Sequence, residues 1–325
     1  MIIVTGGAGF IGSALVWKLN AEGIHDIVIV DRLGTSSKWK NLVNLRYEDY
    51  LHKDEFLSLV HRNAVPFEVD ALVHMGACSS TTERDADFLW ANNFAYTRAL
   101  AKWSLLHSVR FLYASSAATY GDGALGFSDD HEKIAGLKPI NMYGYSKQLF
   151  DLWVLREKLE DTMAGIKFFN VFGPNEYHKG DMASVIFKAY HQILETAKVR
   201  LFKSHLPDYA DGGQMRDFVY VKDCVDVLWW LLQNRQVNGI FNLGTGQART
   251  WNDLIAAVFA AMGRERNIEY IDMPESLRGQ YQYFTQADMG KLQTARCPVA
   301  FSSLEDSVRD YVVNYLQKTD PHLGR

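Results

Sequence analysis

The chain has 325 residues, 48% of them hydrophobic and 22% charged, which suits one large α/β unit or two coupled globular domains. No run approaches the roughly 20 apolar residues of a spanning helix. A formal charge of −4 argues against a surface built for polyanions, so neither a membrane nor a nucleic acid is expected as partner. Cys78, Cys224 and Cys297 are far apart and lack CxxC spacing, which suggests neither a metal site nor a disulfide framework and fits a reducing compartment. Met1 runs straight into Ile2-Ile3-Val4, leaving no room for a leader, so a cytoplasmic location is expected.

Strands are predicted at Ile2–Thr5, Ile27–Asp31, Ala71–His74, Arg110–Ala114 and Ile166–Asn170, with helical stretches between them. That alternation implies a parallel sheet. The first strand leads into Thr5-Gly6-Gly7-Ala8-Gly9-Phe10-Ile11-Gly12 and then a helix carrying Leu15, Val16 and Leu19. Gly6 permits the tight turn, Gly9 lets backbone approach a pyrophosphate, and Gly12 lets the helix pack close to the strand. Asp31, at the end of the second strand, can accept hydrogen bonds from an adenosine ribose, whereas Arg32, Lys38 and Lys53 can neutralise a 2′-phosphate. NADP is slightly favoured on this balance, and NAD stays open.

Between the third and fourth strands, Leu89, Asn93, Tyr96, Leu100 and Trp103 mark a helix that lays its stripe on the sheet. Asn93, beside Asn92, interrupts the stripe, either to tie neighbouring backbone or to face a cofactor. Ser115-Ser116 ends the fourth strand, and Tyr143-x-x-x-Lys147 places a phenol and an ammonium on one helical face. Such a lysine can lower the phenol pKa, letting Tyr143 exchange a proton with a substrate hydroxyl while Ser116 hydrogen-bonds the same oxygen. Past Asn170, Gly173-Pro174 breaks the alternation and a second region begins. Asp217–Val221 and Gly239–Leu243 again read as strands, joined by a helix with Trp229-Trp230, so the second region is expected to be discontinuous. Residues 1–171 and 217–243 would bind the cofactor, and 172–216 and 244–325 the substrate. The polar tail after about Leu316 reads as loose.

The glycine loop, Ser116 and Tyr143-x-x-x-Lys147 resemble the extended short-chain dehydrogenases/reductases that act on nucleotide sugars. Within that group the chain is similar to the ADP-L-glycero-D-manno-heptose 6-epimerases, from Met1 to about Asp288. The segments that carry this likeness are Gly76-Ala77-Cys78-Ser79-Ser80-Thr81-Thr82-Glu83, Tyr113-Ala114-Ser115-Ser116-Ala117-Ala118-Thr119-Tyr120-Gly121, Phe169-Asn170-Val171-Phe172-Gly173-Pro174, His178-Lys179-Gly180 and Arg216-Asp217-Phe218-Val219-Tyr220-Val221. The resemblance implies a Rossmann-type doubly wound parallel sheet with a smaller mixed α/β substrate-binding domain. It implies a bound NADP that is not consumed, an ADP-heptose substrate, a place in lipopolysaccharide precursor synthesis, and a homo-oligomer with a pentamer as the leading case.

By the same resemblance, Lys179 is the second acid/base beside Tyr143. The cofactor would be lined by Gly6, Gly9, Phe10, Ile11, Gly12, Asp31, Arg32, Lys38, Lys53, Met75, Gly76, Ala77, Cys78, Ser79, Asn92, Lys147 and Val171. Substrate would meet Ser116, Asn170, Asp181, Lys188, Leu201, Phe202, Lys203, Ser204, Arg216 and Tyr281. Arg216 has a reading of its own, since a guanidinium can grip a diphosphate bidentately, although it could equally pair with Asp217. Met75, Asp181 and Lys188 replace the Glu, Ser and His of the pattern, and Lys203–Met215 is long. Ala117-Ala118 stand where the dehydratases of the group carry an Asp-Glu pair, which disfavours water elimination. A reductase, another nucleotide-sugar epimerase and a non-catalytic cofactor sensor remain as alternatives.

Overall fold

β1 (Ile2–Thr5) and β2 (Ile27–Asp31) are short runs of Ile and Val, and their side chains alternate between two buried faces. Val4, Ile27 and Ile29 pack into one core with Val73 and Leu112. Ile3, Val28 and Val30 pack into another with Leu72, Phe111 and Tyr113. Burial on both faces is what helices on each side of a parallel sheet produce. The computed structural model describes residues 1–278 and 281–324.

After β1 and β2 come β3 (Asp49–His52), β4 (Ala71–His74), β5 (Arg110–Ser116) and β6 (Ala164–Phe168). β7 (Asn170–Phe172), β8 (Val199–Phe202) and β9 (Met215–Tyr220) lie outside the main sheet, to which β10 (Gly239–Leu243) returns. The main sheet has the order β10-β6-β5-β4-β1-β2-β3 and every pair in it is parallel. The chain therefore winds outward in both directions from β1, the expected doubly wound arrangement, and the reversal between β1 and β4 opens a crevice at their carboxyl ends.

Several elements differ from the sequence reading. β3 was not expected, because Asp49-Tyr50-Leu51-His52 is a half-exposed edge strand without an apolar run. The strand expected at Ile166–Asn170 is two strands. β6 starts at Ala164, Phe169 N donates to the Leu243 carbonyl as a last tie to the main sheet, and β7 then pairs with β9. The strand expected at Asp217–Val221 does not return to the main sheet. As β9 it lies between β7 and β11 (Ala248–Thr250) in a three-stranded sheet. The return is made by the Val221–Gln233 helix, which packs on the Phe10–Ala21 helix, and by β10. A two-stranded sheet pairs β8 with β12 (Ile268–Ile271).

The stripe from Leu89 to Trp103 is buried as expected. Its helix, however, contains a π-helical turn at Trp90–Ala95 between Ala86–Leu89 and Tyr96–Leu106. This wider turn carries Asn92 and Asn93.

The tail expected to be loose is packed. Leu323 is 1% exposed and its N–H donates to Asn175 Oδ1 at 3.0 Å; Tyr177 donates to the Pro321 carbonyl at 2.7 Å and Asn44 to Asp320 at 2.9 Å. The tail thus straps the segment that leads to Lys179. Truncating a leucine so buried leaves a cavity, and Leu323→Ala is expected to cost about 2–4 kcal/mol, read as a lower urea midpoint. An unchanged midpoint would mean that the tail adds nothing to the fold.

Candidate active site

The glycine loop bridges β1 and the Phe10–Ala21 helix. Gly6 adopts φ +68°, and a Cβ there would lie 2.5 Å from Gly76 N, so the loop presses against the turn after β4. A Cβ on Gly12 would lie 2.1 Å from the Gly6 carbonyl oxygen. Both glycines are thus dictated by the protein's own packing. Gly9 differs, because a Cβ there would meet only the Gly6 carbonyl, at 3.0 Å, leaving open space on its outer side. Gly9 also begins the helix with no side-chain cap, so the N–H groups of the first turn stay free for an anion.

Asp31 is buried beside this loop. Its carboxylate accepts from Ala8 N at 2.9 Å, Arg32 N at 2.6 Å and Lys38 Nζ at 2.6 Å. Arg32 is exposed, and Lys53 reaches Asn92 Oδ1 at 3.1 Å. Asn93 settles the alternative left open by sequence. Its amide exchanges 2.9 Å bonds with both the N–H and the carbonyl of Cys78 and donates to Ser146 Oγ at 2.9 Å, so it ties backbone and holds the Met75–Ser79 turn against the Met142–Arg156 helix. His74, unnoticed in the sequence, bridges Thr5 and Thr97 at 2.5 and 2.8 Å. Burial first, then the nearby Lys147 charge, bring its pKa down to about 3, so it stays neutral.

Tyr143 and Lys147 share the Met142–Arg156 helix, which Asn141 caps through Gly144 N at 2.8 Å. A Cβ on Gly144 would sit 2.6 Å from the Ala118 carbonyl oxygen, so this helix lies against the Ser116 turn. The phenol is hydrogen-bonded with Ser116, whose oxygen also accepts from Ala118 N at 3.1 Å. The expectation of a lowered phenol pKa is corrected. Burial raises Tyr143, the Ser116 hydrogen bond only partly offsets this, and Cys78 adds to the rise. Lys147 instead donates to the Ala114 carbonyl at 2.8 Å, and burial brings its own pKa down to about 8.

Lys179 lies in the turn Tyr177–Met182, with its ammonium 5.1 Å from the centre of the Phe10 ring. The second region thereby meets the glycine loop. Burial lowers the Lys179 pKa, Glu176 opposes that, and Lys188 reinforces it. Lys188 donates to the Asp181 backbone carbonyl at 2.6 Å, so these two departures from the family pattern do not pair through the carboxylate.

Arg216 is buried over the rings of Trp251 and Tyr281, 5.7 and 5.3 Å from their centres. Among the described residues it donates to the Met215 and Gln282 carbonyls. The pairing with Asp217 does not form, because that carboxylate accepts from Thr245, Gly246 and Ala287. Burial lowers the Arg216 pKa, and no carboxylate is among the groups that shift it. Trp251, which donates to Tyr281 Oη at 2.9 Å, had no local signal beyond being an aromatic at a helix start.

The remaining expected contacts divide. Asn170 is exposed at the start of β7 and Val171 half-buried, whereas the Leu201 side chain turns into the core and Lys203 pairs with Asp272 at 3.1 Å.

Residues 2–244 match the NAD dependent epimerase/dehydratase family. The chain belongs to that family. An ADP-L-glycero-D-manno-heptose-6-epimerase of Nitratidesulfovibrio vulgaris strain Hildenborough is 67% identical over 323 residues, covering 99% of this chain and 100% of its own. A protein of the same description from Fusobacterium nucleatum is 48% identical over 332 residues, covering 99% and 100%. The crystal structure of the Helicobacter pylori ADP-L-glycero-D-manno-heptose-6-epimerase superimposes with a TM-score of 0.81 at 26% identity, covering 96% of this chain and 95% of that one.

The cofactor of this epimerase/dehydratase family is a nicotinamide dinucleotide, and the crevice between β1 and β4 fits one. Open space beside Gly9, the uncapped helix start and the buried Asp31 are the three features a dinucleotide needs for its pyrophosphate and ribose.

Proposed function

We propose that the protein inverts C6 of the heptose in ADP-D-glycero-D-manno-heptose to give ADP-L-glycero-D-manno-heptose, a precursor of the lipopolysaccharide inner core. The observation that carries this reading is 67% identity over 99% of the chain to a relative described by that activity. Ser116, Tyr143 and Lys147 beside the crevice, with Lys179 at its rim, agree with it.

The C6–H bond is not acidic, so inversion proceeds by removing hydride to form a 6-ketone and returning it to the opposite face. A dinucleotide held between the glycine loop and Asp31 would supply the hydride acceptor and donor. Tyr143 takes the proton of the C6 hydroxyl in one epimer while Ser116 hydrogen-bonds the oxygen as it becomes a carbonyl. The hydroxyl points elsewhere in the other epimer, and Lys179 handles that proton. Arg216, buried and among the described residues paired with no carboxylate, binds the substrate diphosphate. Cells are expected to keep the enzyme in the cytoplasm as a homo-oligomer, with a pentamer as the leading case.

NADP is favoured over NAD. Lys38 already pairs with Asp31, and exposed Arg32 supplies a cation that would favour a 2′-phosphate.

Purified protein incubated with ADP-D-glycero-D-manno-heptose, without added cofactor, is expected to yield both C6 epimers by proton NMR and to release NADP on denaturation. Bound dinucleotide without conversion would overturn the substrate assignment. Release of NAD alone would overturn the cofactor preference. Arg216→Met is expected to raise KM about tenfold to a hundredfold with a smaller change in kcat, because binding energy common to ground and transition state is removed. An unchanged KM would exclude the diphosphate contact.

A further inference from the structure

A fully buried ion pair lies behind the proposed proton-transfer site. Lys167 on β6 and Asp151 on the Met142–Arg156 helix are each 0% exposed, with Nζ 2.5 Å from Oδ2. Taking two charges out of water is costly, and such a pair seldom adds net stability over apolar residues of similar size. Its placement suggests another use.

The Asp151 carboxylate also accepts from Ser115 Oγ at 2.7 Å and Tyr113 Oη at 3.1 Å. Lys167 also donates to Thr119 Oγ1 at 2.7 Å, and Thr119 donates to the Ser116 carbonyl at 2.8 Å. Lys147 donates to the carbonyl of Ala114 at 2.8 Å. Three consecutive residues of β5, Ala114 to Ser116, are therefore held by one group of buried charges. Asp151 follows Lys147 by one helical turn, the register in which a lysine and a carboxylate readily meet. Lys147 nevertheless directs its proton to Ala114.

We propose that Asp151 and Lys167 are positioning residues for proton transfer: Lys167 occupies the Asp151 carboxylate, keeping it from capturing Lys147, while Asp151 stops two buried lysines from facing each other uncompensated. The Lys147 ammonium then stays charged and points at the strand end that carries Ser116. This inference rests on the reading of Tyr143 and Lys147 as the reacting face.

Among the described residues, the groups that face Lys147 come from its own helix, from β4 and the turn after it, and from β5. Asp151 lies on its own helix and favours the charged form, as does Cys78 from the turn after β4. His74 at the end of β4 is neutral, and from β5 the Ala114 carbonyl accepts its proton. Activity requires the ammonium, so it falls as pH rises through the Lys147 pKa, brought down to about 8 by burial. Removing the Asp151 charge lowers that pKa. Removing Lys167 frees the carboxylate and raises it. The two partners of one ion pair thus shift the alkaline limb in opposite directions, which loss of structural support alone would not do.

The test compares holoprotein of wild type, Asp151→Asn, Lys167→Met and Lys167→Arg in two ways, by kcat against pH with ADP-D-glycero-D-manno-heptose and by NMR titration of the Lys147 ε-carbon. The alkaline limb and the titration are expected to move down by about one pH unit in Asp151→Asn and up by a similar amount in Lys167→Met, with Lys167→Arg near wild type. Unmoved titrations, or shifts of the same sign, would overturn the proposal. Ser115→Ala removes a donor from Asp151 without burying a lone charge, so it should move the limb slightly upward even where Lys167→Met fails to fold; no movement counts against the proposal. A wild type without turnover on the heptose would sink the substrate assignment, while the Lys147 titrations would still decide the role of the pair.

Discussion

Tyr143→Phe is expected to lower kcat by about 10³-fold while the dinucleotide stays bound. The substitution deletes one oxygen, the one hydrogen-bonded with Ser116, and it leaves Gly9, Asp31 and the helix start untouched. Fold and cofactor retention should therefore survive, as checked by the spectrum of the material released on denaturation. The loss should fall on kcat more than KM, because the proton is shared with substrate oxygen chiefly in the transition state. Burial raises the phenol pKa, so the phenolate is scarce in the free enzyme and the Ser116 hydrogen bond is one of the few groups that favour it. Ser116→Ala should accordingly cost less than Tyr143→Phe, on the order of tenfold to a hundredfold. A Tyr143→Phe enzyme within tenfold of wild type would remove the phenol from the mechanism.

The parts of this site that sequence made legible are those fixed by local sterics. Gly6 and Gly12 sit where a Cβ would strike backbone, and that demand repeats wherever a strand turns directly into a helix, so spacing reveals it. Tyr143 and Lys147 share a helical face for the same local reason. Which groups then interact was less legible. Lys147 turns to Ala114 rather than to the phenol, because its helix packs against β5, a pairing sequence does not reveal, while Asp151 one turn along is taken by Lys167. Lys167 left a readable trace, a charge in an otherwise apolar buried strand, which implies a buried partner without naming it. β9 and the tail left weaker traces. The Met215–Tyr220 pattern suits a strand in either sheet, and only its pairing with β7 decides between them. Leu323 is one apolar residue in a polar stretch, and its burial depends on Asn175 and Tyr177, far away in the chain.

Lys179→Met tests the second acid/base, with an expected fall in kcat of about 10²–10³-fold in both directions. Methionine keeps an unbranched chain able to lie along the Phe10 ring, so the glycine loop should hold its shape and its cofactor. Burial and the Lys188 charge both lower the Lys179 pKa, bringing the amine nearer to the range where it can give and take a proton. Buried Glu176 opposes them and keeps the ammonium form accessible. The two acid/base variants should also differ from each other in a single turnover. One epimer presents its hydroxyl to Tyr143 and the other to Lys179, so each variant should still oxidise the epimer served by its surviving group, with reduced nicotinamide accumulating as the return step stalls. Mixing the variants with the two epimers separately, and following reduced-nicotinamide absorbance, should give opposite preferences. Equal rates with both epimers in each variant, or wild-type turnover in Lys179→Met, would leave a single acid/base at Tyr143 and require the 6-ketone to rotate in front of it.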